Sequence, residues 1–194
     1  CAGLADKERL ARDIPDLELC HPWPLSAEQA ITLATECEDA ARSRDARISN
    51  SEGATLSSHQ GLHVYGNSHD FLSGFSSTRH SLSCAVVGET NGQMQRDYWY
   101  TVARRRQQLE NPVTVGQHAA DRTLRRLGSR KLSTCRVPVL YAPEMARGLF
   151  GHFIAAISGS SLYRKSSFLV DSLGKSIFPE FMHVHEQPHL KASL

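Results

Sequence analysis

The chain has 194 residues, 40% of them hydrophobic and 22% charged, with a formal net charge of +2. That is the composition of one globular domain, or of one and a half small ones, and it gives no strong pull toward nucleic acid or an anionic membrane. No run of about 18 apolar residues exists to span a bilayer.

Residues 1–25 read as a docking or linker segment. Its first residues, "CAGLADKERL", lack the basic-then-apolar pattern of a secretory signal, and Pro15, Pro22 and Pro24 in "IPDLELCHPWPL" forbid a continuous helix. Ser26 and Gln29 then form a capping box, opening a helix with Ala30, Ala34, Cys37 and Ala41 on one face and an end near Asp45. From Ile48 to Arg104 short runs rich in Val, Tyr, Phe, Ser and Thr alternate with turn clusters "SHQG", "GNSHD" and "TNG". The pattern predicts an antiparallel meander of four or five strands, with Asn91-Gly92 as a hairpin turn. A second helix is predicted over 114–127, with Ala120, Leu124 and Leu127 buried, Arg122, Arg125, Arg126 and Arg130 outward or near its C-terminus, and Gly128 as the stop.

"CRVPVLYA" reads as a strand at an edge or bulge because of Pro138, and Pro143 opens the next helix. At 100° per residue, Met145, Leu149, His152 and Ala156 fall on one side of that helix. Phe150, Ile154 and Ile157 fall opposite, and Gly148, Gly151 and Ala155 form a stripe of small residues. An all-round apolar helix predicts burial, with a neighbouring backbone close to the glycines and His152 as a core histidine, the alternative of a ligand or general base lacking a second ligand at i+3, i+4 or i+5. The order of elements gives an α+β fold: an antiparallel β-meander packed with helices, then a strand and a buried small-residue helix. Domain boundaries are placed at 26–132 and 133–194 after the linker. The chain begins on Cys1 and ends on "HLKASL", which reads as a piece of something longer.

Five cysteines (Cys1, Cys20, Cys37, Cys84, Cys135) are scattered without a CxxC, as expected for reduced thiols in a cytosolic protein. In "FMHVHEQPH", His183 and His185 would share one face of a strand, with Glu186 and His189 nearby. This is a weak metal candidate, set against a polar strand end before Pro188. "STRHS" (77–81) reads as a solvated strand edge, since a serine–histidine pair cannot be inferred from sequence neighbours. "RRRQQ" (104–108) and "RRLGSRK" (125–131) read as solvated basic faces, and "YRKSSFLVDSLGK" lacks the spacing of a phosphate loop.

Several blocks carry a family resemblance: "ISNSEGATLSSHQGLHVYGNSHDFLSGFSSTRHSLSCAVV", "NGQMQRDYWYTVAR", "RKLSTCRVPVLYAPEMARGLFGHFIAAISGSSLYRKSSFLVDSLGKSIFP" and "EQPHL". Together they resemble the TldD/PmbA family, labelled "modulator of DNA gyrase", and more closely its PmbA (TldE) branch. The resemblance covers nearly the whole chain. Family members are more than twice as long, so 26–132 would be the end of an N-terminal domain and 133–194 the start of a C-terminal one.

The resemblance implies a cytoplasmic peptidase system. A TldD-type subunit holds a metal, expected to be zinc, on a HExxxH helix whose Glu is the general base. It pairs as a heterodimer with a PmbA-type subunit, which would form a homodimer when alone. The pair admits unfolded peptides, trims a microcin precursor and degrades an antitoxin. Setting the basic pair downstream of that motif on Arg164-Lys165 places the window on Gly151–Ala156, "GHFIAA". The histidine positions are then Gly151 and Ala156 and the Glu position is His152, so no metal and no catalytic residue is implied in this chain. Tyr163, Arg164 and Lys165, beside the window, are implied as contacts for a peptide or partner. The other function class is a stand-alone module that takes peptides by adding a strand to an open sheet edge.

Overall fold

The computed structural model describes residues 3–194, so the Cys1 thiol lies outside the described residues. The described chain forms two units, residues 3–130 with 187–194, and residues 131–186.

In the first unit helix α1 (Ala27–Arg42) begins at the capping box. Gln29 N donates to Ser26 Oγ and Ser26 N to Gln29 Oε1. Three antiparallel strands follow in the order β1 (Ile48–Asn67), β2 (Phe71–Thr90) and β3 (Gln93–Ala103), with β2 central. Asn91 and Gly92 both have positive φ (50° and 73°), the backbone a two-residue hairpin demands. Helix α2 (Pro112–Arg126) starts on an Asn111 cap with proline in its first turn. The two helices cover one sheet face, where Cys37, Ala41, Ile48, Leu82, Cys84, Val86, Val115, Ala119 and Ala120 make the core.

The expected four or five strands are three long ones. "SHQG" lies inside β1, because an unbroken ladder from Ser57↔Ser81 to Gly61↔Ser77 supplies its backbone bonds. Turn-forming residues break a strand only where no partner competes for their amides.

Three further expectations are corrected in this unit. Helix α2 buries Val115, Gly116, Ala119, Ala120 and Thr123, a stripe turned from the expected one, because Gly116 seats directly on α1. Arg122 is not outward: its guanidinium lies 5.3 Å from the Trp99 ring centroid and 3.6 Å from Asp97. "STRHS" is not a solvated edge, for Thr78 and His80 are buried on the central strand.

The second unit holds α3 (Pro143–Ile157) and α4 (Gly159–Tyr163) and is otherwise turns and extended chain. "CRVPVLYA" forms no strand. It lies exposed, with Leu140 98% accessible, since a strand exists only against a pairing partner and Pro138 removes one donor. The expected burial of α3 is also overturned. Phe150 and Phe153 meet Phe178 and Ala156 is buried, but Met145, Leu149, Ile154 and Ile157 are exposed. A side chain added at Gly148 or Gly151 would meet open space within 4 Å, so no backbone approaches them. An apolar surface is buried only where the fold supplies neighbours, and this unit supplies them on one side of α3 alone.

Candidate functional site

The window 151–156 lies within α3, which starts at Pro143 and is stopped at Ser158, whose hydroxyl caps α4 in turn. Gly151 and His152 are exposed, while Ala156 is 8% accessible. Five residues of α-helix turn through about 500°, so positions 151 and 156 diverge around the axis. His152 is therefore not the core histidine expected. It stands in solvent with no hydrogen-bond partner among the described residues.

Gly151 and Ala156 carry no donor atom, and among the described residues no three His, Cys, Asp or Glu side chains gather to hold an ion. The residues present on α3 do not fit a catalytic metal, which needs several protein ligands.

Tyr163 closes α4 at 88% accessibility, Arg164 caps it, and Lys165 turns the chain with a φ of 54°. The three are exposed and consecutive, so they present one continuous surface.

His183 and His185 do share a side, with ring centroids 6.3 Å apart and nearly parallel planes, but the segment is extended chain without strand pairing. The same run contains His185-Glu186-Gln187-Pro188-His189, the order of a zinc-peptidase helix, which strand reasoning passed over. That motif works by placing two histidines one helical turn apart. Residues 185–189 are not helical, and Pro188 lacks the amide an interior helical position donates.

The most organised polar cluster lies in the first unit, and neighbours in sequence do not reveal it. His80 is the cross-strand partner of Ser58. Its Nε2 is 3.0 Å from the His21 carbonyl, so it must donate there. Nδ1 is then the acceptor for the Ser58 hydroxyl at 2.9 Å. Trp23 meets the imidazole edge-on at 5.5 Å. Ser58, Gln60, His80 and Trp23 line a cleft of about 520 Å³.

Thr78 extends the cluster. It accepts from His21 N and donates to the Arg104 carbonyl. Arg105 pairs with Glu18 at 2.7 Å and Arg106 lies over Trp23, so "RRRQQ" anchors the N-terminal segment instead of forming a solvated face. Lys191 reaches Glu18 from the other end of the unit, and its ammonium, with Arg105, holds that carboxyl below the usual carboxylate range. With both ring nitrogens of His80 occupied, the cluster fixes residues 18–23 onto the sheet.

Two family models match this chain, the central domain of the PmbA/TldA metallopeptidases over residues 20–127 and their C-terminal domain over 134–194. The chain belongs to this family. It is 54% identical over its whole length to the metalloprotease PmbA of Escherichia coli O157:H7, covering 43% of that protein. It is 48% identical to a metalloprotease PmbA homolog of Haemophilus influenzae over 98% of this chain and 42% of that one. The PmbA-like chain thus spans less than half the length of these relatives. A crystal structure from Bacteroides thetaiotaomicron, labelled a modulator of DNA gyrase, superposes with a TM-score of 0.88 at 27% identity, over 98% of this chain and 44% of that one. A similarly labelled Thermotoga maritima structure shares the fold, with a TM-score of 0.75 at 18% identity over 82% of this chain and 37% of that one. The α+β architecture is that of these neighbours. Among the described residues no helix is long and apolar enough to cross a membrane.

Proposed function

We propose that this chain is part of a PmbA-type (TldE-type) subunit of a cytoplasmic two-subunit metallopeptidase that trims or degrades unfolded peptides. A TldD-like partner supplies the metal, zinc in this reading, and the general base. A microcin precursor and an antitoxin are the substrates the family resemblance suggests.

The observation that carries the reading is the motif window on α3. In the window the resemblance sets, Gly151 and Ala156 fall on the two ligand positions and offer no side-chain ligand, so the Lewis acid such a peptidase needs cannot be held there. Tyr163, Arg164 and Lys165, exposed beyond the window, would meet the peptide or the partner, Arg164 offering its planar fork to carbonyls or carboxylates.

The test is cleavage of an unstructured peptide by the full-length protein carrying this sequence, by a subunit with HExxxH, and by their mixture. Chelator-sensitive cleavage should need the HExxxH subunit. Cleavage by the PmbA-like protein alone, abolished by His152→Ala, would refute the reading. An Arg164→Ala, Lys165→Ala double variant should weaken assembly or turnover.

A second reading has its own support. β1 is an edge strand of 20 residues, and from Gly53 to Asn67 it has no Lys, Arg, Asp, Glu or Pro. Edges in folded proteins are commonly blunted by such residues, so an unguarded one suits β-addition of a peptide.

A further inference from the structure

On the sheet face opposite the helices His59 and His63 are exposed, and their two imidazoles converge. Strand alternation puts His59, Gly61 and His63 on that face, since their neighbours Leu56 and Ser58 point to the face that carries Leu82 and His80. The position a Cβ would take on Gly61 lies 3.3 Å from His59 Nε2 and 3.7 Å from His63 Nε2. Both rings therefore lean inward over the one residue of the three that has no side chain. His63 is held there by Phe75, its cross-strand partner, stacked at 4.9 Å between ring centroids.

Two more donors stand opposite on β2, on the same face. Ser77 is the cross-strand partner of Gly61, and Arg79 is that of His59. Arg79 is exposed and makes no ion pair among the described residues. No Asp or Glu stands on this face from Thr55 to Tyr65 of β1 or from Ser73 to Val87 of β2.

We propose that His59, Gly61, His63 and Arg79 form an oxyanion site, one that takes a carboxylate or a phosphate. Each imidazole can present an Nε2–H, the guanidinium adds a charged fork, and charge-assisted bonds of this kind are the strong class. The missing Cβ leaves room for the anion to rest on the strand. A metal ion is the poorer occupant, because two imidazoles are too few ligands and the neighbouring guanidinium repels a cation. The site is independent of the peptidase reading, since it uses a different unit of the chain.

The test follows the imidazole NMR signals of His59 and His63 in the full-length protein carrying this sequence, at constant ionic strength. Sodium phosphate is one probe. A short neutral peptide with a free C-terminal carboxylate is the second, and the same peptide amidated is the third. Phosphate should move both signals together and saturably. Arg79→Ala should weaken binding about tenfold, the effect of losing one hydrogen bond to a charged group. Gly61→Ala, which keeps both imidazoles but fills the space between them, should abolish it. The free-acid peptide acting where the amide does not would extend the site to peptide carboxylates, whereas phosphate acting alone would restrict it to phosphates. Both results support the site. Signals that ignore phosphate, that respond equally in Gly61→Ala, or that respond to zinc chloride but not to phosphate would overturn it. His59, His63 and Arg79 are exposed, and a thermal melt of each variant separates lost binding from lost fold.

Discussion

Replacing Gly116 with alanine should force α1 and α2 apart. The added Cβ would lie 2.1 Å from the Cys37 carbonyl oxygen and 3.0 Å from the Ala41 amide nitrogen. Both are backbone atoms of α1, so no side-chain rotation relieves the clash, and the helices must separate by more than an ångström. They hold Cys37, Ala41, Val115, Ala119 and Ala120 in the core, and that packing loosens with them. Overpacking of this kind costs about 3 kcal/mol at the upper end of its usual range. Alanine's better helix propensity returns about 1 kcal/mol, leaving a net loss of about 2 kcal/mol. At roughly 2–4 °C per kcal/mol the midpoint should fall by roughly 4–8 °C. Urea and thermal melts followed by far-UV circular dichroism measure this. Gly148→Ala is the control, since its Cβ would meet nothing within 4 Å and the substitution should be neutral or slightly stabilising. A Gly116→Ala protein as stable as the parent would show that the α1–α2 contact is not what the structure describes.

Thiol titration should separate the cysteines by burial. Among the four described cysteines, Cys135 is exposed and should react first with an aromatic disulfide, and Cys20 more slowly. Cys37 and Cys84 should react only on unfolding, because both are buried and the neighbouring Cys84 thiol, together with burial, pushes Cys37 above the ordinary thiol range. Acid should weaken the first unit. The Glu18 carboxyl is lowered from its ordinary 4.5 by Lys191 and then Arg105. Its contribution is therefore present above the unfolded value and is lost as pH falls through the lowered folded one. Glu18→Gln should make melts less dependent on pH below about 4.5, and an unchanged acid limb would argue against these pairs. Elemental analysis of the chain purified without chelator should find no stoichiometric zinc. About one tightly held ion per chain would redirect attention to His183, His185 and the run through His189.

The sequence by itself determined the elements whose signals are local. The Ser26/Gln29 capping box and the Asn91-Gly92 turn depend on residues within a few positions of each other, and each stands where the pattern put it, whereas the second helix, expected from Thr114, starts earlier, at Pro112 on an Asn111 cap. The tertiary structure alone decided which polar residues are buried and which apolar ones are not. Ser58 and His80 are 22 residues apart and meet through strand register. His59 and His63 converge over Gly61 only because a continuous ladder keeps all three in one strand. In the other direction, the apolar pattern of α3 predicted burial, and the fold leaves most of that surface exposed. Periodicity reports which side of an element could be buried. Burial itself is a contact between elements distant in sequence, and only the folded chain brings those together.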